Sequence, residues 1–289
     1  MLISKASEAA HSKFDVIPTG FSSLDKILGI GGIPFKKITE CSGQFSVGKS
    51  TLALQIVSQA QKLGYKCLWV DSEYSWSEDY SVALGVDTDK LELLTGRFAE
   101  EILDGMEEWA EKNKNSLIVL DSVGGLLPRQ EGEKSSEQRT IGGQAKLIAT
   151  FTRKITPILA INNIALLVLN HNFIDLLSGK IMTSGGLKLA YSKSVWLMLR
   201  ANGKYLAQGD KKVGNIIEAE IRKNKLAPTL KQTCELSMIW GEGFSKEADL
   251  MEQLLASGEV TKRGNTFFRG ETKLGVGLSN ARKALKTTA

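Results

Sequence analysis

The sequence predicts an α/β fold: a mostly parallel central sheet flanked by helices, with an antiparallel extension. Three observations predict it. Residues 43–51, read as Gly43, Gln44, Phe45, Ser46, Val47, Gly48, Lys49, Ser50 and Thr51, form a complete GxxxxGK[ST] phosphate loop between a strand-like apolar run and a helix-like one. Apolar runs bounded by turn residues recur at Ile38–Cys41, Cys67–Val70, Leu117–Leu120, Ala165–Leu169 and Val195–Leu199, and several are continuously apolar, as in strands covered on both faces. From about residue 195 the runs VWLMLR, IIEAEIRKN and CELSMIW follow one another with little helix between them.

In chain order, helix-like spacing at 50–63, 99–112 and 143–159 separates the first four runs, which gives a strand-helix-strand rhythm and right-handed parallel crossovers. The helix from Ser50 stops at Gly64, so the phosphate loop opens onto a helix N-terminus, where backbone N–H groups and the helix dipole favour an anion. The runs after residue 195 are expected to add antiparallel strands to the same sheet. After Gly243 the segment EADLMEQLLASG reads as a helix, and 259–289 as a small basic tail with a hairpin and a final helix.

Composition narrows the class. The chain has 289 residues, 42% apolar and 24% charged, with no apolar run near membrane-spanning length, so neither a membrane partner nor wholesale disorder is supported. Its start, MLISKASEAAHSKFD, lacks the apolar stretch of a signal peptide, which makes the cytoplasm the default location. Cys41, Cys67 and Cys234 are odd in number and far apart, as expected of reduced thiols with no disulfide partner. The net charge of +5 is compatible with a polyanion and also with many ordinary enzymes.

The phosphate loop calls for a nucleoside triphosphate and Mg²⁺. Gly43 and Gly48 let the backbone curl around an anion, Lys49 reaches the outer phosphates, and Ser50 offers a hydroxyl to the metal. The run Leu117–Leu120 ends in Asp121, a second candidate metal residue at the carboxyl end of a strand. Glu73, in Trp69-Val70-Asp71-Ser72-Glu73, stands where a carboxylate could deprotonate an attacking water; a solvated strand-end acid is the lesser alternative from spacing alone.

The stretches IPTGFSSLDKILGIGGIP (17–34), GQFSVGKSTLALQ (43–55), WVDSEYSW (69–76), LIVLDSVGGLLP (117–128), TSGGLKLAYSKSV (183–195), IRKNKLAP (221–228) and WGEGFS (240–245) resemble the RecA recombinase family, in order and with similar spacing. The resemblance covers roughly residues 15–285 and implies a RecA-like P-loop ATPase core. It also implies ATP-dependent filaments of this chain on single-stranded DNA and strand exchange with homologous duplex DNA. Under it, 1–16 is a short N-terminal segment able to form a subunit-contact helix, 17–245 is the ATPase core, and 246–289 is a helix and hairpin belonging to that core, with no separate C-terminal domain.

Carried over position by position, the resemblance makes Glu73 the catalytic glutamate. Lys49, Ser50 and Asp121 become phosphate and Mg²⁺ residues, and Tyr80 the adenine-stacking tyrosine. Lys223 and Lys225 match a lysine pair that reaches the neighbouring subunit's γ-phosphate; without the resemblance they are an alternating basic strand end. His171 stands where bacterial members carry a γ-phosphate-sensing glutamine and a phage member carries histidine, which points to a viral or divergent branch and to a bacterial or phage-infected cell. A lone histidine also fits an inert core position.

Two loops are implicated in DNA binding. The first, 129–142, begins at Arg129 and ends at Ile141 and Gly142, ahead of a helix with Lys146 and Arg153 on one face. The second, 172–184, is apolar at Phe173, Ile174, Leu176, Leu177, Ile181 and Met182, carries Lys180, and leads into Gly185 and Gly186. Its apolar residues would either pack into protein or wedge between bases. Leu187, Ala190 and Ser77 depart from the bacterial pattern of asparagine, lysine and aspartate. A RecA-fold regulator without strand exchange is the alternative reading, and it would need neither the apolar second loop nor Lys223 and Lys225.

Overall fold

In the computed structural model the described residues are 15–133, 142–175, 179–208, 210–228, 230 and 232–286. The expected subunit-contact helix within 1–16 therefore falls outside them, as does most of the first candidate DNA loop. Strands β1 (Val16–Ile17) and β2 (Ile33–Pro34) pair across helix α1 (Ser22–Leu28). The main sheet begins with β3 (Ile38–Gly43), and α2 (Lys49–Lys62) leads from it to β4 (Lys66–Asp71). Next come α3 (Glu78–Ala83), β5 (Leu91–Leu94), α4 (Ala99–Lys112), β6 (Ser116–Asp121), the single turn α5 (Arg129–Gly132) and α6 (Gly143–Asn162). β7 (Ile164–Ile174) and β8 (Ile181–Thr183) precede α7 (Gly186–Ser192). Three strands follow, β9 (Val195–Gln208), β10 (Lys211–Asn224) and β11 (Thr233–Ile239), with a two-residue β12 (Gly243–Phe244).

The sheet runs in the order β12-β11-β10-β9-β3-β7-β6-β4-β5. Every pairing from β9 to β5 is parallel, and those from β9 to β12 are antiparallel. The parallel core with its antiparallel extension is therefore as the patterning predicted. The continuous apolar runs have a direct cause. Leu117, Val119, Leu167 and Leu169 face the α2 side with Leu52 and Ile56, whereas Ile118, Leu120, Leu166 and Val168 face Ile102, Met106, Ile155 and Leu159 of α4 and α6. Both faces are covered, so alternation disappears.

Two segments differ from the sequence reading. Within 172–184 the described residues do not form an open loop: β7 continues to Ile174 and pairs antiparallel with β8, Asn172 opposite Thr183 and Ile174 opposite Ile181. The turn closes through Asp175 N–H to Lys180 O (2.9 Å) and Gly179 N–H to Asp175 O (2.8 Å), ladder and turn bonds that a Gly-containing segment permits. Leu176 and Leu177 lie outside the described residues. The tail forms a three-stranded antiparallel sheet, not a two-stranded hairpin: β13 (Val260–Arg263), β14 (Thr266–Arg269) and β15 (Thr272–Val276). With α8 (Lys246–Ala256) and α9 (Leu278–Lys286) it encloses a small cluster of its own, Met251, Leu254, Val260, Phe267, Ala281 and Leu285. Asp249 of α8 ties that unit to the sheet side, accepting from the N–H of Ser23 (3.3 Å).

Beneath the phosphate loop, Glu40 of β3 and Lys193, between α7 and β9, are 0% and 2% exposed and meet at 2.6 Å. Burial pushes the Lys193 ammonium down from its ordinary value and the Glu40 carboxylate pushes it back up. Lys193→Met leaves that carboxylate buried without its cation and should destabilise the fold by about 3–5 kcal/mol. A denaturant midpoint unmoved by the substitution would contradict this.

Candidate functional site

The cleft is assembled at the carboxyl ends of the parallel strands, and strand register does the assembling. Gly43 pairs with His171, and Asp71 pairs with Asp121, so the residue types singled out in the sequence arrive side by side. Gly43 must be glycine for space, because a Cβ there would come within 2.7 Å of Leu199 O and Val47 Cγ2. Gly48 must be glycine for conformation: it caps α2 at φ +84°, and a Cβ would approach Met238 Sδ to 2.7 Å.

Lys49, largely buried, donates from Nζ to Gly43 O (3.2 Å) and Gln44 O (2.8 Å), bending back over its own loop. Desolvation lowers its pKa, and Cys41, Asp121 and Glu73 raise it. Asp121 is pushed up to about 6, by burial first and then by Glu73 and Asp71, against a hydrogen bond from Ser50 and the charge of Lys49. Asp71 accepts from the backbone N–H groups of Glu73 (3.2 Å), Ser75 (3.2 Å) and Trp76 (2.9 Å), fixing the turn that carries Glu73.

Glu73 Oε1 accepts a hydrogen bond from the Ser122 hydroxyl and lies 3.3 Å from His171 Nε2. His171 Nδ1 lies 3.4 Å from Lys49 Nζ. A lysine ammonium can only donate, so these two contacts together require Nδ1 as acceptor and an N–H at Nε2 directed at Glu73. The Phe45 ring, 79% exposed, covers the imidazole at a centroid distance of 4.7 Å. On the other flank the Tyr80 hydroxyl and Thr51 Oγ1 are 2.8 Å apart, with Tyr80 carried on helix α3, which Ser77 caps. Lys49, Ser50, Thr51, Glu73, Tyr80, Asp121 and His171 all line one cleft of about 450 Å³, walled on the sheet-extension side by Met238, Ile239 and Trp240.

Lys223 and Lys225 stand apart from that cleft. Lys223 Nζ donates to Ala190 O (2.6 Å) and Tyr191 O (3.2 Å), and Lys225 Nζ to Tyr191 O (2.6 Å), so both ammoniums sit on carbonyls at the C-terminal end of α7. Lys223 is lowered to about 8 by partial burial and then by Lys225 and Lys193.

The candidate DNA residues divide. Gly185 (φ +95°) caps α7, and a Cβ on Gly186 would touch Ala145 Cβ at 3.0 Å, so the end of the second segment packs on the start of α6 beside Gly142. Lys146 and Arg153 are exposed on α6, and Lys180 is exposed in the β7–β8 turn. Phe173 and Ile174 are 51% and 65% exposed, so they do not pack into protein. Arg129 is already engaged, paired with Glu101 at 2.5 Å and stacked over Phe98. Ile141 lies outside the described residues.

A family model for the RecA N-terminal domain matches residues 2–245. A RecA protein of Thermus thermophilus is 36% identical over 287 residues, covering 98% of this chain and 84% of that one. The RecA proteins of Sulfurimonas denitrificans and Campylobacter lari are 38% and 36% identical over 92% and 95% of this chain, and over 78% and 80% of their own length. The chain belongs to the RecA family.

In this RecA chain the motif residues are visible in the sequence because each is local: a strand end followed by a chemically distinctive side chain. Ser122, Asp71 and Met238 are not singled out that way. Ser122 and Asp71 bracket Glu73 through hydrogen bonds, the first of them made across the sheet, and Met238 arrives from nearly two hundred residues away, so no spacing in the sequence marks them. The one available signal is the serine directly after Asp121.

Proposed function

We propose that this RecA recombinase, a DNA-dependent ATPase acting in recombination and repair, hydrolyses ATP in the Lys49–Glu73–Asp121 cleft and completes that cleft with the cationic pair of a neighbouring copy. The observation that carries this reading is the single cleft uniting a phosphate-loop lysine, a Ser50–Asp121 pair and a Glu73 carboxylate already tied to His171. With a triphosphate on the loop, Lys49 exchanges the carbonyls of Gly43 and Gln44 for phosphate oxygens. The hydroxyl of Ser50 and the carboxylate of Asp121 are hard oxygen donors suited to Mg²⁺. The metal, when bound, neutralises charge developing on the phosphates. Glu73, oriented by Ser122, is placed to take a proton from the attacking water, and His171 Nε2–H is free to turn from Glu73 toward the outermost phosphate. Tyr80 supplies the flat face for the base.

Lys223 and Lys225 do not line their own cleft and rest instead on the end of α7, and this supports a role delivered to an adjacent subunit in a helical filament. Their seat on α7 holds two long side chains ready, reducing the entropy lost when they engage. Single-stranded DNA would lie along Lys146, Arg153, Lys180 and the glycine pair, with Phe173 and Ile174 presented to bases and duplex DNA entering as the exchange partner. No helix among the described residues is long and apolar enough to cross a membrane, and the three cysteines are free; the bacterial cytoplasm, infected by phage or not, is the proposed setting.

A mixing experiment tests the shared site. The double variant Lys223→Ala, Lys225→Ala keeps an intact cleft and lacks the donated cationic pair; Lys49→Ala has a dead cleft and an intact donor. Each alone on single-stranded DNA should be nearly inactive, whereas an equal mixture should recover about a quarter of wild-type ATPase sites, those pairing a sound cleft with a sound donor. A mixture no more active than its parts would contradict donation between subunits.

A further inference from the structure

The buried pair beneath the phosphate loop joins more of the chain than an ion pair needs to. Lys193 Nζ meets Glu40 Oε1 at 2.6 Å and Thr183 Oγ1 of β8 at 3.4 Å, and lies 3.9 Å over the Trp196 ring. The second Glu40 oxygen accepts from Asn170 Nδ2 (3.4 Å), the same amide donates to Ser184 O (2.8 Å), and Asn170 Oδ1 accepts from the N–H of His171 (2.9 Å). Strand β3 just before Gly43, strand β7 just before His171, the root of the β7–β8 hairpin and the start of β9 are thus fixed to one another by a single buried cluster.

Stability does not account for it. A buried salt bridge replaced by apolar side chains of similar volume is commonly neutral or better for folding. What apolar packing lacks is direction: an ammonium, a carboxylate and a carboxamide with their partners set impose fixed angles on each segment they hold, and close-packed interiors shift between discrete arrangements rather than continuously.

We propose that Lys193 is a positioning residue that holds the root of the β7–β8 hairpin in register with His171, through Glu40, Thr183 and Asn170, so that polynucleotide on the hairpin and nucleotide in the cleft act on each other. The proposal rests on the reading of the hairpin as the DNA-contacting segment. It requires that removing the ionic link weaken the mutual effect of the two ligands while each site remains able to bind.

Glu40→Gln combined with Lys193→Met tests it, because the double substitution leaves no stranded charge and the introduced amide can still accept from Asn170. Steady-state ATPase with and without oligo(dT), the KM for ATP, and oligo(dT) affinity by fluorescence anisotropy with a non-hydrolysable ATP analogue are compared with wild type. The expected result is a folded protein with unchanged DNA-free turnover and unchanged KM, whose stimulation by oligo(dT) falls about tenfold, within the usual span of coupling free energies. A merely structural role would leave the stimulation ratio intact, and full stimulation in the folded double variant overturns the proposal. Should that variant not fold, Thr183→Val, which removes one hydroxyl and keeps the shape, reads the same link: reduced stimulation supports the proposal and full stimulation overturns it. Absence of oligo(dT) stimulation in the wild type defeats the DNA reading itself; stimulation intact in wild type and variant alike defeats this inference alone.

Discussion

Lys49→Ala is expected to lower ATP turnover by at least about 10²–10³-fold, the loss seen when one preorganised electrostatic group is removed from a transition state. The reason is visible in the charges of the cleft. Glu73 and Asp121 line it with Asp71 buried beside them, and burial together with the other two carboxylates already pushes Asp121 up to about 6. Lys49 is the cation of the phosphate loop itself and acts against that rise. Removing it takes away the contact to the outer phosphates and leaves the acidic cluster less compensated, which further favours the protonated form of Asp121, a poorer metal ligand. Folding should be little affected, since the ammonium donates only to two carbonyls of its own loop and to the His171 ring, and its own desolvation penalty disappears with it. Steady-state ATPase on saturating single-stranded DNA, with thermal melting as a check on folding, decides the matter; turnover within about tenfold of wild type would mean that the phosphates are held elsewhere.

Glu73→Gln should separate binding from chemistry. The amide keeps an acceptor for the Ser122 hydroxyl and a polar neighbour for His171, so the turn fixed by Asp71 has no reason to move. Basicity is what disappears. General-base assistance contributes about 10²–10⁴-fold, and kcat should fall by that factor while the KM for ATP and ATP-dependent binding to single-stranded DNA persist. Filaments on DNA should then outlast those of the wild type, because hydrolysis no longer clears the nucleotide. Electron microscopy of filaments beside an ATPase assay reads both halves; a variant that no longer binds nucleotide would assign Glu73 to the architecture of the cleft instead of to the reaction.

What the sequence discloses follows from how far each interaction reaches along the chain. Gly43–Thr51 is a contiguous motif whose backbone geometry the two glycines dictate, and its neighbours Asp121 and Glu73 sit at ends of strands whose apolar runs are unmistakable. β5 escapes notice because Leu91–Leu94 is an edge strand with its middle residues in water, and α3 because six residues capped by Ser77 carry too little periodicity to register. The apolar stretch around Phe173 and Ile174 reads ambiguously, as a buried crossover or as a surface for bases; pairing with β8 resolves it by satisfying the backbone while leaving both side chains outside. Lys193 carries no mark of its own in the sequence. Its burial depends on a carboxylate more than 150 residues earlier, and no local pattern could announce that.

Helix α7 has seven residues and so measures about 10 Å at 1.5 Å per residue, too short to flex appreciably along its axis. Its first turn begins at the glycines beside the hairpin and its last carbonyls carry Lys223 and Lys225. A body that stiff behaves as a strut. The footing of the hairpin and the resting place of the two lysines are therefore opposite ends of one short element, which sets the span between them within a single subunit, well before any second subunit is met.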